Sequence, residues 1–179
     1  MSILSFGVDI DHLIHRDPQR RALRALARRL AKTPARRPDA ALQVVTDLAK
    51  ELTGARYAAL AVTDRQDRTE GFFTAGLDPV AMARLRTPPQ GHGPLGALRY
   101  DGRPVRFDDV RDHAKAFGFP PSHPEMQRLC GVAIWAHGEV RGALYVADRT
   151  DGRPFGEEDE AMLTTLAAHA SHVVEAEWY

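Results

Sequence analysis

The stretch "LCGVAIWAHGEVRGALYVAD", residues 129–148, constrains this chain more than any other. Two apolar runs flank the turn residues "AHGEV", the pattern of an antiparallel hairpin. Directly after it, "RPFGEEDEAMLTTLAAHASHVVEAEWY" reads as one long helix. Its first turn is acidic, which suits the positive end of the helix dipole. Met162, Leu163, Leu166, Ala167, Ala170, Val173 and Val174 form one continuous apolar stripe at helical spacing. A hairpin followed by an amphipathic helix calls for a sheet with a helix laid across it.

The rest of the chain supplies matching parts. "DPQRRALRALARRLAKTP" predicts a helix with Asp17 as N-cap, Pro18 at N1 and Leu23, Leu26 and Leu30 on one side. "PDAALQVVTDLAKELTGA" predicts a second, with Leu42, Val45, Leu48 and Leu52 as its apolar face and Gly54 as C-cap. "RYAALAVTD" and "TEGFFTAG", joined by "RQDR", predict another hairpin. "DPVAMARL" reads as a short helix capped by Asp78, and "PVRFDD" as a brief strand. Helices enclosing a chiefly antiparallel sheet make an α+β domain.

At 179 residues with zero formal net charge, the chain suits one core and carries no overall field toward nucleic acid or membrane. Its cations are nevertheless uneven: nine fall between Arg16 and Arg37, against the single acid Asp17. A lone cysteine, Cys130, rules out an internal disulfide and fits a reducing compartment. No apolar run approaches the roughly 20 residues of a membrane span, and the first residues do not have the form of a signal peptide. A cytoplasmic chain is expected.

Residues 110–128 form a long irregular segment around "GFPPSHPEMQRL", residues 118–129. Long loops in compact domains are usually functional or disordered, and the aromatics and prolines here argue against disorder. Pro120, Pro121 and Pro124 fix backbone angles around His123, and Pro124 restricts it directly.

The order of elements, with "G-V-φ-φ", "G-φ-φ-Y-φ", "F-x-x-x-D" and "L-x-x-L-A" in the closing half, resembles a GAF domain over residues 38–177. The resemblance implies a GAF fold: a central, mainly antiparallel sheet flanked by N- and C-terminal helices. On this reading residues 1–37 are an N-terminal extension carrying the arginine-rich helix, and residues 38–179 are the GAF domain. The loop "GFPPSHPEM" with "GALY" behind it is similar to the haem-binding first GAF domain of actinobacterial dormancy-type oxygen and redox sensor histidine kinases. That likeness implies haem b as cofactor, His123 as the proximal iron ligand and Tyr145 on the distal side. It implies a pocket wall drawn from Phe72, Phe73, Leu77, Leu95, Leu98, Phe119, Met126 and Ile134, with Met82, Phe117, Leu129 and Val132 as further wall or core.

Other groups are weighed and set lower. His92 and His113 read as solvated loop histidines before second ligands, and Arg99, Arg103 and Arg106 as propionate partners only by chance. Cys130 opens an apolar strand, where a small buried hydrophobe is expected. His169, Ser171 and His172 read as a solvated or dimer-facing helix surface.

The expectation is a sensor of diatomic gas (O2, NO or CO) or redox state, signalling in trans to a histidine kinase or other signalling protein, with homodimerisation through long helices. The resembled kinases continue into a second GAF domain and a kinase, so output is expected from a partner. The alternative is a haem-free GAF module that binds a small metabolite or mediates dimerisation. No enzymatic activity is expected: methionine sulfoxide reduction, known for some GAF proteins, needs several cysteines.

Overall fold

The computed structural model describes residues 17–33, 37–66, 68–78, 80–81, 98, 101–111 and 125–178. Among these, three long helices and five strands follow in the order α1 (Pro18–Leu30), α2 (Pro38–Thr53), β1 (Ala55–Thr63), β2 (Thr69–Ala75), β3 (Val105–Phe107), β4 (Leu129–Ala136), β5 (Glu139–Arg149) and α3 (Glu157–Glu177). The strands form one sheet in the order β2-β1-β5-β4-β3, every pair antiparallel. The expected α+β class and both hairpins are present.

Turn chemistry explains the hairpins. His137 and Gly138 link β4 to β5 with φ of 52° and 77°. Two successive positive angles match the right-handed twist of the strands they join. Between β1 and β2, the Asp64 carboxylate accepts the amides of Gln66 and Arg68 at 2.8 Å each and the Arg68 guanidinium at 2.6 Å. One side chain thereby replaces the ladder bonds that a tight turn loses.

Strand periodicity sorts the sheet's side chains onto two faces. Leu60, Val62, Cys130, Val132, Ile134, Leu144 and Val146 point to one face and join a single large core with α2 and α3. Each fully buried leucine or isoleucine there contributes roughly 1.5–3 kcal/mol through area removed from water. All seven stripe positions of α3 are buried, as the spacing predicts.

Helix α1 forms a further layer, lying on α2 and α3 rather than on the sheet. Asp17 caps it as expected, accepting the amides of Gln19 and Arg20. Its buried side differs from the expected one, however. Ala22 and Leu26 are buried and Leu30 packs at the margin, whereas Leu23 is 56% exposed. The four-residue spacing from 22 through 26 to 30 matches the ridge that meets two helices at once, and Leu23 lies about 100° away from it.

The β5–α3 connection is held by charge. Arg149 reaches the Asp159 carboxylate at 2.9 Å and the Asp151 carboxylate at 3.0 Å. Asp159 in turn accepts the Gly156 amide at 2.9 Å, capping α3 at its start. The hydrogen bond from Arg149, helped by the Arg153 amide and guanidinium, holds the Asp151 carboxyl far below its ordinary 3.8.

Candidate functional site

The second sheet face carries a smaller cluster: Ala59, Leu98, Val110, Met126, Leu129, Tyr145 and Ala147, with Tyr57, Phe72, Val105, Phe107 and Ala143 at its margin. In-register pairing makes one row across the sheet, Thr74–Ala59–Tyr145–Gly131–Val105. The two neighbours of Tyr145 in that row are alanine and glycine, so its ring has room to lie across the sheet. A Cβ on Gly131 would come within 3.2 Å of Leu98, which is fully buried and rests on that glycine.

A small cavity opens above this row, lined by Tyr57, Phe72, Leu77, Met126, Tyr145 and Ala147, with Ala59 and Thr74 from the strands. Its volume is about 10 Å³, room for about one water. Burial pushes the Tyr145 hydroxyl well above its ordinary 10, and no hydrogen bond among the described residues offsets this. A phenol in an apolar hollow, with no partner among the described residues, is able to donate to a polar ligand.

Asp148 fixes the far wall. Its φ is 51°, a left-handed conformation that aspartate tolerates better than most residues. In that posture its carboxylate accepts the amides of Gln127 at 3.0 Å and Arg128 at 2.8 Å, while its own amide donates to the Arg128 carbonyl at 3.0 Å. The chain entering β4 is thus tied to the end of β5, and Met126 is set beside Tyr145.

The structure divides the expected wall residues. Phe72, Leu77, Met126 and Tyr145 line the cavity, and Leu98 and Leu129 pack in the same cluster. Phe73, Ile134 and Val132 are corrected: they lie on the helix-covered face, in or against the main core. The reason is the strand period of two, which sends Phe72 and Phe73 to opposite sides. Residues His123, Leu95, Phe119, Met82, Phe117, His92, His113 and Arg99 lie outside the described residues. Tyr57, Ala59, Thr74 and Ala147 went unread in the sequence, although alternation in "RYAALAVTD" and its pairing with "GALYVAD" would have found them.

The secondary candidates also have clear places. Cys130 is buried on the helix face, where burial pushes its thiol up to about 12, so it stays a protonated, unreactive thiol. Arg106 pairs with Glu160 of α3 at 3.0 Å, and Arg103 with Asp101 at 3.5 Å. Ser171 faces the sheet rather than solvent, its Oγ accepting the Trp135 amide at 2.9 Å. His169 is half-buried, and burial followed by the neighbouring His172 lowers its proton affinity. Among the described residues no group of three His, Cys, Asp or Glu side chains is placed to hold a metal ion. No described helix is long and apolar enough to cross a membrane.

A five-stranded antiparallel sheet with helices on one face and a small cavity on the other is the architecture to which the comparisons now attach a family. The model of the GAF domain matches residues 35–175. The chain belongs to the GAF family. Among solved structures, it superposes on the GAF domain of a phosphoenolpyruvate-protein phosphotransferase from Coxiella burnetii with a TM-score of 0.70, at 24% identity over 88% of this chain and 92% of that one. A free methionine-R-sulfoxide reductase from Neisseria meningitidis, in complex with its substrate, gives 0.65 at 20% identity over 99% and 98%. A GAF domain/HD domain protein from Geobacter sulfurreducens gives 0.63 at 19% over 76% and 91%. At such identities the likeness is one of fold. This GAF domain is thus a sensing and signalling module by family, with α1 lying ahead of the matched residues while burying Ala22 and Leu26 in the shared core.

Proposed function

We propose that this GAF domain is a haem-b sensor of diatomic gas or redox state, which passes its signal in trans to a histidine kinase or other signalling protein. His123 would hold the iron, and Tyr145 would face the ligand. Haem, when bound, supplies an iron centre whose ligation or oxidation state can change. The observation that carries the reading is Tyr145: a buried phenol without a described partner, aimed into an apolar hollow on the sheet.

The side chains present suit such a group chemically. Ala59, Gly131, Ala143 and Ala147 give the sheet a low, flat surface on which a planar cofactor can lie, with Phe72, Leu77 and Met126 as apolar rim. A space of about 10 Å³ must widen to admit it. Widening is possible only away from the sheet, whose strands are locked by their ladders. Binding should therefore move the covering wall and leave the sheet unchanged, which is one way for occupancy to reach a partner.

The chain's own residues would do three things here. Prolines around His123 would keep its imidazole presented, the Tyr145 hydroxyl would donate to a polar diatomic ligand, and the apolar rim would exclude competing water. Catalysis is no part of the proposal, because the single thiol is buried away from the cavity and remains protonated.

Titration of the purified protein with haemin is the direct test. A saturable, equimolar Soret band is expected, and its absence would leave the haem-free alternative standing. Tyr145→Phe separates the distal role from the fold. Removing a hydroxyl that has no partner among the described residues should leave the Tm of the haem-free protein unchanged or raise stability by up to about 1 kcal/mol. In the haem-loaded protein the same change is expected to weaken dioxygen binding about tenfold, a loss of about 1.4 kcal/mol, and to leave carbon monoxide binding nearly unaltered. Equal effects on the two gases would refute the distal role.

A further inference from the structure

The arginine-rich helix lies outside the sensor cavity and has its own open site. Between α1 and α2 runs a groove of about 460 Å³. Its floor is apolar, made by the half-buried Ala25 of α1 and Leu52 of α2 above the buried Leu48. Along its rim stand Arg21, Arg24, Arg28 and Lys32. Among the described residues none of these four has an acidic partner. The fifth cation, Arg29, shows what the groove accepts: its guanidinium holds the Glu51 carboxylate at 2.6 Å.

This arrangement costs helix stability. Arg21, Arg24 and Arg28 follow one another at spacings of three and four, where like charges repel across one turn. The first turn contains no acid, so Arg20 and Arg21 also oppose the helix dipole, offset only by the Asp17 cap. A solvated helix that merely covered the core would need only Ala22 and Leu26. The cations need another reason.

We propose that the α1–α2 groove is a docking site for an acidic amphipathic helix of a partner protein. Carboxylates spaced one turn apart on such a helix match the turn-by-turn spacing of Arg21, Arg24 and Arg28, and its apolar side covers Ala25 and Leu52. A nucleic acid backbone would meet the charges but has no apolar face for Ala25 and Leu52, and the chain's zero net charge lends no long-range attraction to it. The site is on the far side of the helical layers from the Tyr145 cavity, so docking and sensing are separate readouts.

The test uses the full chain and a fluorescein-labelled peptide of Glu and Leu, about four helical turns long, with leucines at alternating three- and four-residue spacing. Fluorescence anisotropy at physiological salt should show saturable binding. Arg24→Gln with Arg28→Gln should weaken it at least about tenfold, and Arg21→Gln with Lys32→Gln should do the same. At these exposed positions, relief of the like-charge repulsion should leave the Tm unchanged or slightly raised, and the two pairs back each other should either fail to fold. Arg20→Gln with Arg103→Gln removes the same charge outside the groove and should have no effect. Equal weakening by that control overturns the proposal, as does equally tight binding of a polyglutamate of the same length. Duplex DNA bound with the same groove dependence would assign the site to nucleic acid instead, and a wild-type dimer dissolved by the groove pairs would assign it to a second copy.

Discussion

His123→Ala is expected to abolish the Soret band that the wild-type protein gains with haemin, lowering haem affinity at least about tenfold. The reason is in the backbone around it. Pro120, Pro121 and Pro124 each fix φ near −65°, and Pro124 confines His123 to extended conformations. A ligand held this way loses little freedom when it binds iron, so its removal forfeits both the bond and the preorganisation. Cys130 points into the opposite core with its thiol pushed up to about 12, and Cys130→Ser should leave haem content unchanged. Free imidazole added to His123→Ala should restore part of the absorbance. A variant that binds haem as tightly as wild type would end the ligand assignment, whatever the spectrum of the parent. The Tm of the haem-free variant should match wild type, which separates lost ligation from lost structure.

What the sequence made legible were elements whose own pattern decided them. Hairpins, caps and the α3 stripe rest on local rules, and Asp17, Gly54 and Met162 through Val174 fall where spacing places them. Faces were harder. "GFFTAG" holds two adjacent aromatics, and only register against β1 decides that Phe72 meets Ala61 on the cavity side while Phe73 meets Leu60 in the core. The same holds for Leu23, where a plausible leucine stripe lost to a neighbouring alanine because α1 must nest against two helices. Tyr57 and Thr74 enter the site through pairing across strands distant in sequence, which one strand read alone does not contain. Asp148 is the extreme case: it ends the motif "GALYVAD" as an ordinary acid, yet its left-handed backbone and two accepted amides set the wall beside Tyr145.

That same motif carries the second large effect. Gly142→Ala is expected to destabilise the protein by about 3 kcal/mol, as overpacking a rigid site does, and to lower its Tm by roughly 6–12 °C for a domain of this size. Gly142 sits on the central strand β5, paired with Val62 of β1 and Ile134 of β4. A Cβ built there would lie 2.1 Å from the Ala61 carbonyl oxygen, 3.1 Å from its carbon and 3.3 Å from the Val62 Cα. All three are backbone atoms, so no side chain can swing aside, and β1 cannot retreat because β2 pairs along its other edge. The clash must widen the β1–β5 ladder that aligns Ala59 with Tyr145. Gly138→Ala is the matched control: nothing lies within 4 Å of its Cβ, so its cost is confined to a φ of 77° in a surface turn. It should be the smaller of the two losses. If both variants melt together, close approach of the strands is not what the glycine of "GALY" provides. If Gly142→Ala alone falls, the motif divides by physical role: Gly142 lets the strands meet, Leu144 fills the core, and Tyr145 reaches the cavity.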